Sequence, residues 1–209
     1  MKFGVFIYDG VEPIDLATFG VLSMARRIRP DIEIVTLAPA AGAVRLSNGL
    51  VVLADHALAD APGLDVLIIT GGPGWVEESK RGETLAALRR RAGDTLLVSV
   101  CTGGMILAAS GVLDGKRATT KREVVPPEEP PIGRLRELYP HIDVREASLV
   151  DEDRVITGGG VALCIDTMLH LLKRLFGGEM AAETARILEY DRAWAANLNQ
   201  FPPLPRAGA

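Results

Sequence analysis

The residues from Leu96 to Gly104 constrain the fold of this chain most strongly. They read Leu-Leu-Val-Ser-Val-Cys-Thr-Gly-Gly, an apolar and β-rich run that ends at Cys101 and is followed by an apolar helical pattern over residues 105–109. This order predicts a strand, a sharp turn and a helix, which together form a nucleophile elbow that exposes one side chain at the edge of a sheet. Because a helix N-terminus favours negative charge, we expect the Cys101 thiol to ionise more easily than a free one. The alternative is an ordinary buried cysteine at the end of a core strand.

Strands and helices alternate along the first half of the chain. Apolar runs at residues 3–8, 31–42, 50–53, 65–70 and 96–100 predict strands, and helical patterns follow the first run, from Pro13, and the fourth, over residues 83–91. Strands that are apolar on both faces predict a mostly parallel sheet covered by helices on both sides. Ligand sites in such sheets lie beyond the carboxyl ends of the strands, so the loops after Thr70 and Val100 are expected at one edge.

The second half is less regular. Residues 123–131 contain four prolines, which exclude a regular helix or strand and predict either a lid over the site or a surface connector. Weaker apolar patterns predict three short strands and two helices, at residues 142–144, 148–150, 155–156, 161–176 and 179–190. We therefore expect a single domain over residues 1–190 and a Pro/Ala-rich tail over 191–209 that lies on the surface or reaches a partner subunit.

Composition excludes several classes of protein. The net charge is −4 and no basic block is present, which argues against a nucleic-acid-binding protein. No apolar run approaches the roughly 20 residues that a membrane-spanning helix needs. Two cysteines are too few for a disulfide framework, and the first eight residues resemble a strand rather than a signal peptide. These features predict a cytoplasmic protein without membrane or nucleic-acid partners.

Two further features accompany Cys101 at the predicted edge. Asp15 lies one turn inside the helix that Pro13 opens, where its carboxyl either points into the cleft or complements the helix dipole. The loop Gly71–Gly72–Pro73–Gly74 follows an apolar strand, and its backbone N–H groups could approach a ligand closely. Together with the N–H of Thr102 one of them could form an oxyanion hole, although a plain tight turn explains the glycines equally well.

The residues that other cysteine enzymes require are missing from the elbow. A protease or amidase of the cysteine type needs a histidine base, yet Thr102 follows Cys101, and the three histidines, His56, His141 and His170, lie elsewhere in the sequence. There is no Cys-x-x-Cys or His-x-x-x-His spacing, so no metal site is predicted, and no cofactor is expected.

The chain resembles the DJ-1/PfpI superfamily, whose fold is that of the class I glutamine amidotransferases, and within it the isonitrile hydratase branch. The resemblance covers roughly residues 3 to 190. It rests on these segments: Asp15–Leu16, residues 69–74, 99–104 and 113–120, Thr157–Gly160 with Ile165–Asp166, and 188–190. It implies a flavodoxin-like three-layer α/β sandwich, a homodimer and a small-molecule substrate.

The resemblance also implies a role for each site residue. Cys101 matches the nucleophile, Asp15 the neighbouring acid, and Thr102 the hydroxyl that orients this acid. Gly72 and the backbone of Thr102 match the amide pair that faces the substrate, with Gly71 and Gly74 in the same loop. The implied reaction is hydration of an isonitrile to an N-substituted formamide.

One departure from the family pattern lies beside these residues. After Ala118–Thr119–Thr120 the family commonly has His and Trp, whereas this chain has Lys121 and Arg122. Lys121 either attracts acidic or polar groups of the substrate or faces solvent. Two other functions remain open. One is a stress sensor in which Cys101 is oxidised reversibly, and the other is a glyoxalase or deglycase, an activity that relies on Glu where this chain has Asp15.

Overall fold

The computed structural model describes residues 1–206. Its strands are β1 (Lys2–Phe6), β2 (Glu33–Ala38), β3 (Gly42–Arg45), β4 (Val51–Ala54), β5 (His56–Ala57), β6 (Val66–Ile69), β7 (Leu96–Ser99), β8 (Arg117–Ala118), β9 (Asp143–Val144), β10 (Leu149–Glu152) and β11 (Val155–Gly158). Its helices are α1 (Ala17–Ile28), α2 (Trp75–Glu78), α3 (Gly82–Arg91), α4 (Gly103–Ala109), α5 (Pro131–Leu138), α6 (Leu163–Phe176), α7 (Gly178–Ile187) and α8 (Asp191–Gln200). A short 3-10 helix, Pro13–Leu16, leads into α1.

Seven strands form the central sheet, in the order β10–β11–β7–β6–β1–β2–β5. All neighbouring strands are parallel except β10 and β11, which form an antiparallel hairpin. Every residue of β6 is buried, as expected for a strand covered on both faces. The predicted mostly parallel α/β sandwich is confirmed.

Helices cover both faces of this sheet. Helix α6 packs against α1 and α7, whereas α4 contacts α2, α3 and α5. The predicted apolar helix over residues 161–176 begins two residues later, at Leu163, because Val161 has a φ of +55°. A helix cannot include this left-handed backbone conformation, which is rare for a β-branched residue.

The carboxyl ends of the central strands carry the informative loops. The chain passes from β1 to β2 on one side of the sheet and later to β6 and β7 on the other, so the loops after β1 and β6 flank a topological switch point. Ligands in open α/β sheets bind at such points. The elbow after β7 lies beside them, since β7 neighbours β6.

The proline-rich segment ends in a helix that the sequence did not reveal. Residues up to Pro130 are irregular, as predicted, but Pro131 starts α5. Proline is tolerated at the first helical position because that residue has no intrahelical N–H bond to lose.

The predicted tail also contains regular structure. Residues 191–200 form α8, and Leu204 pairs with Val150 at the edge of the sheet. No residue of α8 is buried, although Asn197 reaches Asp166 on α6. Residues 207–209 of the predicted tail lie outside the described residues. None of the described helices combines the length and apolar character needed to cross a membrane.

Candidate active site

Cys101 stands in a tight turn between β7 and α4. The N–H of Cys101 donates to the carbonyl of Gly159 at 2.9 Å, and the carbonyl of Cys101 accepts a hydrogen bond from the Thr120 hydroxyl at 2.7 Å. Its φ of +52° is unusual for a residue other than glycine, so the surrounding bonds hold it in a strained conformation. This turn has the form of the predicted elbow.

A cavity of about 530 Å³ opens beside Cys101. The loop after β1, the loop after β6 with α2, the elbow, the segment 121–134 and Val161 each contribute to its wall. The lining residues are Glu12, Gly72, Pro73, Trp75, Val76, Cys101, Thr102, Lys121, Val124, Glu128, Glu129, Pro131, Arg134 and Val161. The proline-rich segment is therefore a wall of this cavity and not a remote connector.

The Asp15 carboxyl is fully buried in the 3-10 helix after β1. Its Oδ2 accepts a hydrogen bond from the N–H of Gly71 at 2.7 Å, while its Oδ1 has no hydrogen-bond partner. Burial raises the pKa of Asp15 to about 7. The charge of Glu12 raises this pKa further, whereas the Gly71 N–H and the Lys121 ammonium lower it. The carboxyl can therefore hold a proton near neutral pH.

The Cys101 thiol does not behave as the sequence predicts. Burial, and next the Asp15 carboxyl, raise its pKa to about 12, whereas the amides of Val161 and Thr102 and the Lys121 ammonium lower it. The side chain is only 2% exposed, so the loss of hydration outweighs the nearby donors. The negative charge of Asp15 therefore opposes ionisation of the Cys101 thiol.

Thr102 makes a different contact from the one that the resemblance implies. Its Oγ1 accepts a hydrogen bond from the N–H of Gly72 at 2.8 Å and donates to the carbonyl of Gly72 at 3.2 Å. The hydroxyl thus holds the glycine loop and forms no hydrogen bond with Asp15. The Gly72 N–H is consequently occupied, and the amides that favour an anion on Cys101 are those of Thr102 and Val161.

Sequence reasoning missed Val161. Its amide reaches the elbow because Gly158–Gly160 carry the chain from β11 past Cys101, whose N–H is bonded to Gly159. The three glycines were the only signal in the sequence, and they do not identify the residue whose amide faces the thiol.

The glycines after β6 bring backbones together and leave no free amide for a ligand. A Cβ on Gly72 would lie 2.2 Å from the nitrogen of Glu12, and a Cβ on Gly74 would lie 1.9 Å from the carbonyl oxygen of Asp9. The N–H groups of Gly71, Gly72 and Gly74 donate to Asp15, Thr102 and Gly10, respectively. The predicted role of these three amides in ligand binding is therefore corrected: their glycines pack the loops after β1 and β6 against each other.

Lys121 is half-buried in the wall of the cavity. A Cβ on Gly160 would lie only 2.6 Å from Cγ of Lys121, so the lysine stem packs against this glycine. Its ammonium lowers the pKa of both Asp15 and Cys101, and across residues 1–206 no carboxylate lies within 4 Å of it. Of the two alternatives, Lys121 faces the site.

No histidine lines the cavity; His170 instead bonds Asp151 at 2.9 Å. Across the described part of the chain, no three side chains of His, Cys, Asp or Glu converge as a metal ion would require. The groups shown to act on the Cys101 thiol are therefore a carboxyl group, a lysine and two backbone amides.

Comparison with known proteins assigns this arrangement to a family. The sequence model of the DJ-1/PfpI family matches residues 1–174. The chain belongs to the DJ-1/PfpI family. Among DJ-1/PfpI structures, Drosophila melanogaster DJ-1beta covers 90% of this chain with a TM-score of 0.75 and 22% identity, and the aligned part is 97% of that chain. A THiJ/PfpI family protein from Pseudomonas syringae covers 96% of this chain, with 87% of its own chain aligned, a TM-score of 0.78 and 23% identity.

Similar sequences in this family have different functions. Isonitrile hydratase from Pseudomonas putida is 31% identical over 195 residues, which are 91% of this chain and 78% of that protein. The HTH-type transcriptional regulator GbdR from Pseudomonas aeruginosa is 30% identical over 160 residues, which are 76% of this chain but only 41% of the regulator. The DJ-1/PfpI family thus includes both an enzyme and a regulator that resemble this chain.

Proposed function

We propose that this DJ-1/PfpI protein is a cysteine-dependent hydratase that adds water to an isonitrile and releases an N-substituted formamide. The observation that carries the proposal is the buried Asp15 carboxyl, which has a pKa of about 7, raises the pKa of the Cys101 thiol and has an Oδ1 atom without a hydrogen-bond partner. The similarity to isonitrile hydratase of Pseudomonas putida supports the same reaction.

The reaction begins with one proton shared between Asp15 and Cys101. The protonated carboxyl donates this proton to the terminal carbon of the isonitrile, and the sulfur forms a bond to the same carbon. The product is a thioimidate in which carbon carries hydrogen, sulfur and the C=N double bond. Asp15 is left as a carboxylate.

Water then resolves the thioimidate. Asp15 takes a proton from water as the hydroxide adds to the carbon, and that proton passes to nitrogen. The C–S bond breaks as the C=O bond forms, and the hydroxyl proton returns to the Asp15–Cys101 pair. One water is consumed, one formamide leaves, and the starting protonation is restored.

Lys121 and the two amides have an electrostatic role in this scheme. The thiol loses hydration through burial, so its anionic form depends on the ammonium of Lys121 and the amides of Thr102 and Val161. These groups are fixed before the substrate enters. They can therefore stabilise the negative charge on sulfur at two points. The first is the transfer of the thiol proton to Asp15, and the second is the breaking of the C–S bond.

The test measures formamide formed from a panel of neutral isonitriles. We expect turnover by the parent protein and none by Cys101→Ala, with Asp15→Asn strongly impaired. Cys164→Ala, which removes the other buried thiol, is the matched control and should retain activity. Turnover by Cys101→Ala at the parent rate would refute the mechanism, and inertness of the parent toward the whole panel would refute the function.

Peroxide titration separates the hydratase from an oxidation sensor. Peroxide reacts with thiolates, and burial holds the pKa of Cys101 far above neutrality, so few molecules carry the thiolate in the absence of substrate. Intact-mass measurement during peroxide titration should therefore show little oxygen gain at Cys101 at low peroxide.

A further inference from the structure

Arg134 is a second cation in the wall of the cavity that contains Cys101. It lies on α5, is half-buried, and its guanidinium carbon is 5.6 Å from the ring centroid of the buried Trp75. No carboxylate lies within 4 Å of Arg134 in the part of the chain that the structure describes. Arg136 on the same helix does have a partner, Glu146 at 3.0 Å. Arg134 is therefore available to an anion that enters the cavity.

The charges of the cavity divide into two groups. Glu12 raises the pKa of Asp15 and Lys121 lowers it, so these two residues form the group of charges that acts on the reacting carboxyl. Arg134 lies on α5, an element separate from the 3-10 helix that carries Asp15 and from the elbow that carries Cys101.

The acidic residues of the proline-rich segment do not neutralise Arg134. Glu128 and Glu129 line the cavity but are exposed, so water and salt screen their charge. A half-buried guanidinium acts in a medium of lower effective dielectric and interacts more strongly with a bound ion. Of these three charges, that of the half-buried Arg134 is therefore the one that solvent screens least.

We propose that Arg134 binds a carboxylate on the substituent of the isonitrile and thereby determines substrate preference. This inference rests on the proposed hydratase function. The planar guanidinium matches a carboxylate with two parallel hydrogen bonds, and the Trp75 ring beside it suits an apolar or aromatic spacer. The products would be formamides that also carry a carboxylate.

The experiment compares kcat/KM for 4-isocyanobenzoate with that for its methyl ester, which removes the charge and keeps the ring. We expect the parent to prefer the carboxylate and Arg134→Gln to reduce the carboxylate-to-ester ratio by about tenfold to 100-fold, mainly through KM. Arg134→Lys should restore part of the preference. Arg136→Gln, which removes a cation outside the cavity, should leave the ratio unchanged.

Three outcomes would overturn the assignment. The first is an equal loss for acid and ester in Arg134→Gln, which would indicate that Arg134 only supports Trp75. The second is an unchanged ratio in this variant, and the third is a parent that prefers an isonitrile bearing an ammonium group.

A binding measurement separates failure of this inference from failure of the hydratase function. Calorimetry with 4-formamidobenzoate and its methyl ester requires no turnover and can use Cys101→Ala. If binding of the acid depends on Arg134 but the parent protein hydrates no isonitrile, the hydratase function is refuted and the anion site is supported. Turnover of neutral isonitriles with equal binding of acid and ester would support the function and refute the anion site.

Discussion

The hydroxyl oxygen of Thr102 lies 2.8 Å from the amide nitrogen of Gly72 and 3.2 Å from its carbonyl oxygen. Both residues are buried, and they belong to loops that follow neighbouring strands. The residue after the candidate nucleophile thus fixes the glycine loop, and the N–H of Gly71 in that loop holds Asp15. Through these two hydrogen bonds, the positions of the thiol and the carboxyl depend on each other.

Replacing Thr102 tests this link. Thr102→Val keeps the shape but leaves the N–H of Gly72 buried without an acceptor, which should lower the free energy of unfolding by about 1–3 kcal/mol and reduce kcat. Thr102→Ser retains the hydroxyl and should stay near the parent in both. Urea denaturation and steady-state kinetics provide the readouts. If Val and Ser behave alike, the hydroxyl does not join the two loops.

The elbow could be predicted because its signal is local. Strand, cysteine, small residues and helix follow one another within Leu96–Ala109, and the strand determines where the turn lies. Asp15 could be proposed because Pro13 marks a helical start directly after the first strand.

Properties that depend on distant residues could not be predicted. The Val161 amide meets Cys101 only after β11 has paired with β7. The pKa of Cys101 depends on burial, which outweighs the local donors and reverses the expectation drawn from the helix that follows. The glycines after β6 suggested contact with a ligand, whereas their missing Cβ atoms allow contact with the loop after β1.

Gly74→Ala should disrupt the contact between those two loops. The new Cβ would lie 1.9 Å from the carbonyl oxygen of Asp9, and because this is backbone, no side-chain rotation can relieve the clash. We expect the free energy of unfolding to fall by about 1–3 kcal/mol or more. Gly82→Ala is the control, since nothing lies within 4 Å of its added Cβ. Equal urea midpoints for the two variants would contradict the close approach.

Asn197→Ala tests whether α8 is held to α6. Its amide donates to both oxygens of the buried Asp166 at 3.1 and 3.2 Å, and Tyr190 donates to the same carboxyl at 2.9 Å. The free energy of unfolding should fall by about 1–3 kcal/mol, since the carboxyl loses hydrogen bonds that favour its charged form. Asn199→Ala on the same helix removes an exposed amide and should change stability by less than about 0.5 kcal/mol. A loss no greater than that of the control would show that α8 does not depend on Asp166.

Asp15→Asn should stabilise the fold at neutral and higher pH. Burial raises the pKa of Asp15 from 3.8 to about 7, so the folded protein binds this proton more tightly than the unfolded chain does. That contribution to stability is complete below about pH 4, declines as pH rises toward 7, and is absent above it. Asparagine retains an acceptor for the Gly71 N–H but carries no charge, so the variant should gain up to about 4 kcal/mol over the parent at pH 8 and little at pH 4. Urea denaturation at both pH values measures this difference, and Asp60→Asn, at an exposed carboxyl, should show no such pH dependence. If the difference in unfolding free energy between parent and variant is the same at pH 4 and pH 8, Asp15 does not keep its proton in the folded protein. Asp15 could then not be the proton donor of the proposed reaction.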